Sequence, residues 1–159
     1  MEYHFLPSAL LSIALVITTI IVHYEILRAV WVQLPFLRRK PRRQIIFIVI
    51  AIFVAHTIAV WTYGAAFWFL ETHMQFGALE GAYHDGHFLS YIYFSAATYS
   101  SLGLGDMYPV GPFRMLASVE VLNGLLLIGW SVTFTYFAMQ QFWGWHISKM
   151  TQQLEEVED

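Results

Sequence analysis

Two glycines separated by a single residue, Gly103 and Gly105, lie in the run Thr98-Tyr-Ser-Ser-Leu-Gly-Leu-Gly-Asp106, which Pro109 closes. The chemistry open to such a run is coordination by backbone oxygen. A ring of carbonyl dipoles can replace the water shell of a monovalent cation without burying a formal charge. Turning successive carbonyls inward requires, at alternate residues, dihedrals that a β-carbon resists, and glycine at positions 103 and 105 meets that need. Leu102 and Leu104 then point away from the ion axis and pack the ladder against its surroundings. The Ser101 hydroxyl can add a side-chain oxygen at the inner end. A Gly-x-Gly by itself says little, since turns and phosphate loops use it freely. The segments on either side carry the argument.

Several other residues have chemistry to offer. Glu120 stands in an apolar stretch, where an ionised carboxylate costs several kcal/mol unless it is paired, neutral or near water. It is read as a polar clasp behind the ladder, bonded to Thr98 or Tyr99, or as a charge that tunes the ladder. His23 and His56 also lie in apolar stretches and are expected at similar depths, close enough for polar contact. The outer run His84-Asp-Gly-His87 offers a weak candidate divalent-ion site at His84 and His87, against the simpler reading of a solvated loop.

The composition says where these residues must work. Of 159 residues, 58% are hydrophobic and only 12% are charged, which excludes an ordinary soluble domain and leaves an integral membrane protein. There is no cysteine, so disulfides and thiolate metal sites are excluded, and a net charge of -3 gives no case for a nucleic-acid partner. About 20 apolar residues cross a bilayer, and three stretches qualify: Leu6 to Tyr24 with a possible extension to Leu34, Ile45 to Leu70, and Phe113 to Trp145. Glu25 and Arg28 interrupt the extension. The segment Phe88 to Ser101 is too short to span and ends at the glycines. It suits a re-entrant helix, because irregular backbone survives at membrane depth only inside protein or beside water.

Arg38, Arg39, Lys40, Arg42 and Arg43 crowd the link between the first two stretches. The positive-inside tendency places that link, and with it the C-terminal tail, in the cytoplasm. The first stretch is expected to span, with the alternative that it lies flat at the interface. The tail carries Ile147, Met150, Leu154 and Val157 at three- and four-residue steps, enough for a short amphipathic helix.

Ser101-Leu-Gly-Leu-Gly-Asp106, followed by Pro109, resembles the selectivity filter of potassium channels, Thr-Val-Gly-Tyr-Gly-Asp. With Gly-Leu-Gly-Asp it is most similar to the second pore loop of two-pore-domain potassium channels, and the whole pore region resembles the bacterial two-span channels. The resemblance implies an all-α pore module with an extra N-terminal helix. Residues 1-37 are the extra helix, 38-44 the basic cytoplasmic link, 45-70 the outer helix, 71-87 the turret, 88-106 the pore helix and filter, 112-145 the inner helix, and 146-159 a short acidic cytoplasmic tail.

It also implies K+ as the transported ion, held at Ser101, Leu102, Gly103, Leu104 and Gly105, with Asp106, Tyr93, Thr98 and Glu120 as filter support. Tyr91, Phe94, Ala97 and Thr98 are expected to pack the pore helix against its neighbours. Gly124 and Gly129 take the place of a gating hinge, or serve close helix packing instead. Ile128, Val132 and Tyr136 would face the cavity. One pore loop per chain cannot close a ring, so the resemblance demands a homotetramer in the cell (plasma or inner) membrane. No cofactor and no enzymatic activity are expected. The rival readings are a poorly selective monovalent cation channel, a nonconducting channel subunit, and a membrane metalloenzyme built on His23, His56, His73, His84 and His87.

Overall fold

A computed structural model of the chain describes residues 5–34, 41–82 and 84–158, with side chains as far as residue 140. Arg38, Arg39 and Lys40 of the basic link lie outside the described residues, as do the side chains of the acidic tail. The order of elements is α1 (Phe5–Gln33), α2 (Pro41–Met74), β1 (Ala78–Gly81), α3 (Phe88–Tyr99), β2 (Met107–Val110) and α4 (Phe113–Glu158). The helices α1, α2 and α4 are long and apolar enough to cross a membrane.

These helices turn their polar side of the sequence inward. On α1 the buried stripe includes Ser8, Ser12, Thr19, His23, Leu27, Val30 and Leu34, while Leu6, Leu10, Ile13, Ile17 and Ile21 are exposed. Lipid is as apolar as leucine, so burying leucine gains little there. Small residues that allow close approach and polar residues that hydrogen-bond across helices hold such a bundle together. Helix α2 repeats the pattern with Gln44, Ala55, Ala59 and Tyr63 inside and Ile46, Val49, Ile50 and Phe53 outside. The interrupting charges on α1 pair with each other, Arg28 Nη1 to Glu25 Oε2 at 2.8 Å.

α1 packs along α2 and α4 from one end of the bundle to the other and is long and apolar enough to cross a membrane. Leu11 and Leu15 pack against the cluster of Phe67, Phe94 and Phe113, whereas Val30 and Leu34 pack against Ile48 and Ala138 at the far end. It is therefore parallel to α4 and antiparallel to α2, with its start at the end that carries α3. Gln44 Nε2 donates to the Leu34 carbonyl at 2.8 Å and satisfies one of the carbonyls left open where α1 ends.

Three boundaries differ from expectation. α2 begins at Pro41, a residue suited to a first helical position, and continues to Met74 rather than ending at Leu70. The polar Glu71-Thr72-His73 marks the end of apolar sequence, not the end of helix. The tail is helical, but as an uninterrupted continuation of α4 to Glu158. The segment expected as the turret holds a strand: β1 pairs antiparallel with β2, which follows the glycine run, Leu79 opposite Pro109 and Gly81 opposite Met107. Glu71 fastens this strand pair to α2, because its Oε2 accepts from the Leu79 amide at 3.0 Å.

Candidate functional site

Helix α3 has 12 residues, about 18 Å at 1.5 Å per residue, and stops well inside the bundle. Tyr91 and Phe94 are buried in the protomer's own core with Phe67 and Phe113, so they anchor α3 within one chain. Ser95 lies on the same buried side of α3: its Oγ is 2.9 Å from the Val60 carbonyl of α2 and 2.5 Å from Glu120 Oε1 of α4. Glu120 is wholly buried. Its partner is Ser95 rather than the expected Thr98 or Tyr99, because Ser95 lies on the flank of α3 that faces both long helices. One hydroxyl proton serves two acceptors there, and a carboxylic acid at Glu120 would supply the second.

The ladder follows directly. The amide of Ser101 donates to the Thr98 carbonyl at 3.0 Å, and the amides of Leu102 and Gly103 both donate to the Ala97 carbonyl at 2.9 and 3.2 Å. These bonds close the C-terminal end of α3 and leave the carbonyls of Ser101 through Gly105 without a hydrogen-bond donor among the described residues. Ser101, Gly103 and Gly105 have φ of 60°, 52° and 79°, while Leu102 and Leu104 between them have negative φ. In a strand successive carbonyls alternate in direction. An alternation of positive and negative φ instead lets them line one side. Ser101 takes this conformation in spite of its β-carbon, at a cost of about 1–2 kcal/mol, and the spacing of glycines alone did not reveal it.

The ladder is exposed along its length in the single chain. Leu102 and Leu104 are 65% and 56% exposed, so the chain by itself leaves most of each uncovered. At the outer end Tyr93 donates to Asp106 Oδ2 at 2.7 Å and the Met107 amide donates to Asp106 Oδ1 at 3.0 Å. Thr98 lines the groove behind the ladder together with Phe94 and Ala117.

On α4, Gly124 is buried against the end of α3. A β-carbon there would overlap the Tyr99 carbonyl oxygen and stand 3.0 Å from the Tyr99 carbonyl carbon, whereas at Gly129 it would meet nothing within 4 Å. The helix runs through both positions. Val132 and Tyr136 are exposed on one face, but Ile128 is partly buried against Ala59, Tyr99 and Leu127. Each four-residue step drifts about 40° around a helix, which carries this row from the packed side at Ile128 to the open side at Tyr136.

Among the described residues no group of three or more His, Asp or Glu is placed to hold an ion. His84 Nε2 faces Glu71 Oε1 at 3.2 Å, and the amide of His87 donates to Asp85 Oδ1 at 3.0 Å. His23 and His56 do approach, with ring centroids 5.0 Å apart. Ser131 of α4 bridges them, a residue the sequence pattern did not single out, and Asn123 similarly reaches Thr19 at 2.8 Å and Tyr63 at 3.2 Å. A polar side chain within an apolar run was the available signal for both.

No curated protein and no solved structure is similar enough to the chain to match it. The sequence profile of a family described as ion channel matches residues 44–141, which runs from the start of α2 through the ladder to α4 and leaves α1 outside. That match takes in more than half of the 159 residues, and its bounds enclose the re-entrant helix, the ladder and both helices that pack them: the chain belongs to the ion channel family.

Proposed function

We propose that four copies of this chain form a potassium-selective channel, with Ser101 to Gly105 as the filter and K+ passing passively down its electrochemical gradient. The observation that carries this reading is the alternation of φ at Ser101, Gly103 and Gly105 beside carbonyls that have no donor of their own. One such row can cover only one side of a dehydrated cation; a closed fourfold ring would surround it. The same ring would bury Leu102 and Leu104, which a single protomer leaves exposed. In this assembly Asp106, Tyr93, Thr98 and Glu120 brace the filter. Val132 and Tyr136 belong to the inner pathway with Ile128 at its packed margin, and Gly129 is the position left free to bend. The arginine-rich link puts the filter end outside the cell membrane and the C-terminus in the cytoplasm.

Flux into proteoliposomes tests the proposal, with potassium and sodium supplied in turn and Gly103→Ala as the comparison. An alanine at that φ of 52° is strained, by about 1–2 kcal/mol per subunit, and four strained copies should abolish flux. Equal sodium and potassium flux would replace this reading with a poorly selective cation channel. Absence of flux from a well-assembled protein would favour a nonconducting subunit, and a native mass other than that of four chains would remove the ring.

A further inference from the structure

The N-terminal helix lies outside the family match, yet a buried chain of hydrogen bonds connects it to the last residue of α3. His23 Nε2 is 3.0 Å from Ser131 Oγ, Ser131 Oγ is 3.1 Å from His56 Nε2, and His56 Nδ1 is 2.8 Å from the Tyr99 hydroxyl. One residue comes from each of α1, α4, α2 and α3. Tyr99 stands two residues before Ser101, and its carbonyl rests on Gly124.

Counting protons makes the chain directional. The Ser131 hydroxyl has one proton and lies between two imidazole nitrogens, so it donates to one and accepts an N–H from the other. The two histidines must therefore present opposite states at Nε2. In one polarity Tyr99 donates to His56, His56 to Ser131 and Ser131 to His23. In the other every bond reverses. His23 Nδ1 has no partner among the described residues. The first polarity leaves a buried N–H unmet there, and the second leaves a lone pair there while turning the Tyr99 hydroxyl proton away from His56. The state of His23 on α1 thus dictates whether the Tyr99 hydroxyl donates or accepts at the foot of the filter.

We propose that α1 is a positioning element for the filter, in which His23 and Ser131 act through His56 to hold Tyr99 and, with it, the entrance of the ladder at Ser101. This rests on the filter assignment above. A second tie from α1, Thr19 Oγ1 to Asn123 Nδ2, does not reach Tyr99 and provides an internal control. The potassium-to-sodium flux ratio in proteoliposomes is the readout, alongside thermal unfolding of each variant in detergent.

Loss of one buried hydrogen bond at the filter foot should lower the ratio about fivefold in Ser131→Ala and in Tyr99→Phe. The double variant should lose no more than either single one, since both cut the same chain. Ser131→Thr restores the hydroxyl and should restore the ratio, while Thr19→Val should unfold at lower temperature with the ratio intact. Should Ser131→Ala fail to assemble, Tyr99→Phe reports on the same link. A selective wild type whose ratio survives Ser131→Ala or Tyr99→Phe overturns the coupling alone. Equal losses in Thr19→Val also overturn it, because they would trace the effect to bundle stability. A wild type without potassium preference overturns the filter assignment and this inference with it.

Discussion

Replacing Gly124 with alanine separates two roles that glycine can have in a membrane helix, bending and close approach. In isolation the change favours a helix, since alanine is better than glycine by about 1 kcal/mol. At this position the added methyl would overlap a main-chain carbonyl, with the Tyr99 carbonyl carbon at 3.0 Å and its ring carbon Cδ2 at 3.2 Å. Backbone at the end of a packed helix cannot swing aside as a side-chain tip does, so α3 and α4 must separate. Overpacking of this kind costs about 1–3 kcal/mol, which exceeds the propensity gain across most of its range. Gly129→Ala supplies the contrast, because a methyl there meets nothing within 4 Å and should retain the full gain of about 1 kcal/mol. Thermal unfolding in detergent should therefore move in opposite directions for the two variants, down for Gly124→Ala and up for Gly129→Ala. Flux should fall in Gly124→Ala because Tyr99 carries the start of the ladder. A Gly124→Ala protein as stable and as conductive as wild type would refute the packing argument. Loss of gating without loss of stability would return Gly124 to the role of hinge.

Glu120→Gln keeps an acceptor for Ser95 and should change stability by no more than about 1 kcal/mol, whereas Glu120→Ala leaves a buried void and should cost about 2–4 kcal/mol. Unchanged unfolding of Glu120→Ala would mean that the carboxyl group is no clasp, and unchanged conductance of Glu120→Gln would exclude a tuning charge. In the turret, Asp85 accepts from the Ser90 hydroxyl and the His87 amide, bonds that hold its carboxylate below the ordinary value of 3.8. A depressed value stabilises the folded turret above the unfolded value and loses that contribution as pH falls through the folded one. Hydrogen exchange at the first amides of α3 should accelerate on acidification below about pH 4, less so in Asp85→Asn. An identical acid response in both proteins would show that Asp85 does not cap this end.

Much of the architecture follows from local chemistry. Runs longer than a bilayer needs, a 12-residue segment too short to cross it, and glycines at 103 and 105 are properties of the chain itself. Tyr93 and Asp106 both read as support for that run, and the fold is what joins them. Helix ends were less legible where polarity changes inside a helix, as at Glu71, because hydropathy reports the solvent and backbone bonding sets the boundary. The strand in the turret was hidden for a related reason. Four residues of β1 acquire their ladder only from β2, which arrives after the whole of α3 and the filter have intervened.

What the sequence by itself determined was the class of protein and, at Gly103 and Gly105 though not at Ser101, where φ turns positive. Tertiary structure alone decided the partners of buried polar groups: Ser95 for Glu120, Ser131 between His23 and His56, Thr19 and Tyr63 for Asn123, and the Tyr99 carbonyl for Gly124. The physical reason is that an apolar run specifies burial in lipid without specifying rotation about the helix axis. Rotation is set by which few polar side chains find one another across the interface, and those contacts join residues far apart in the chain.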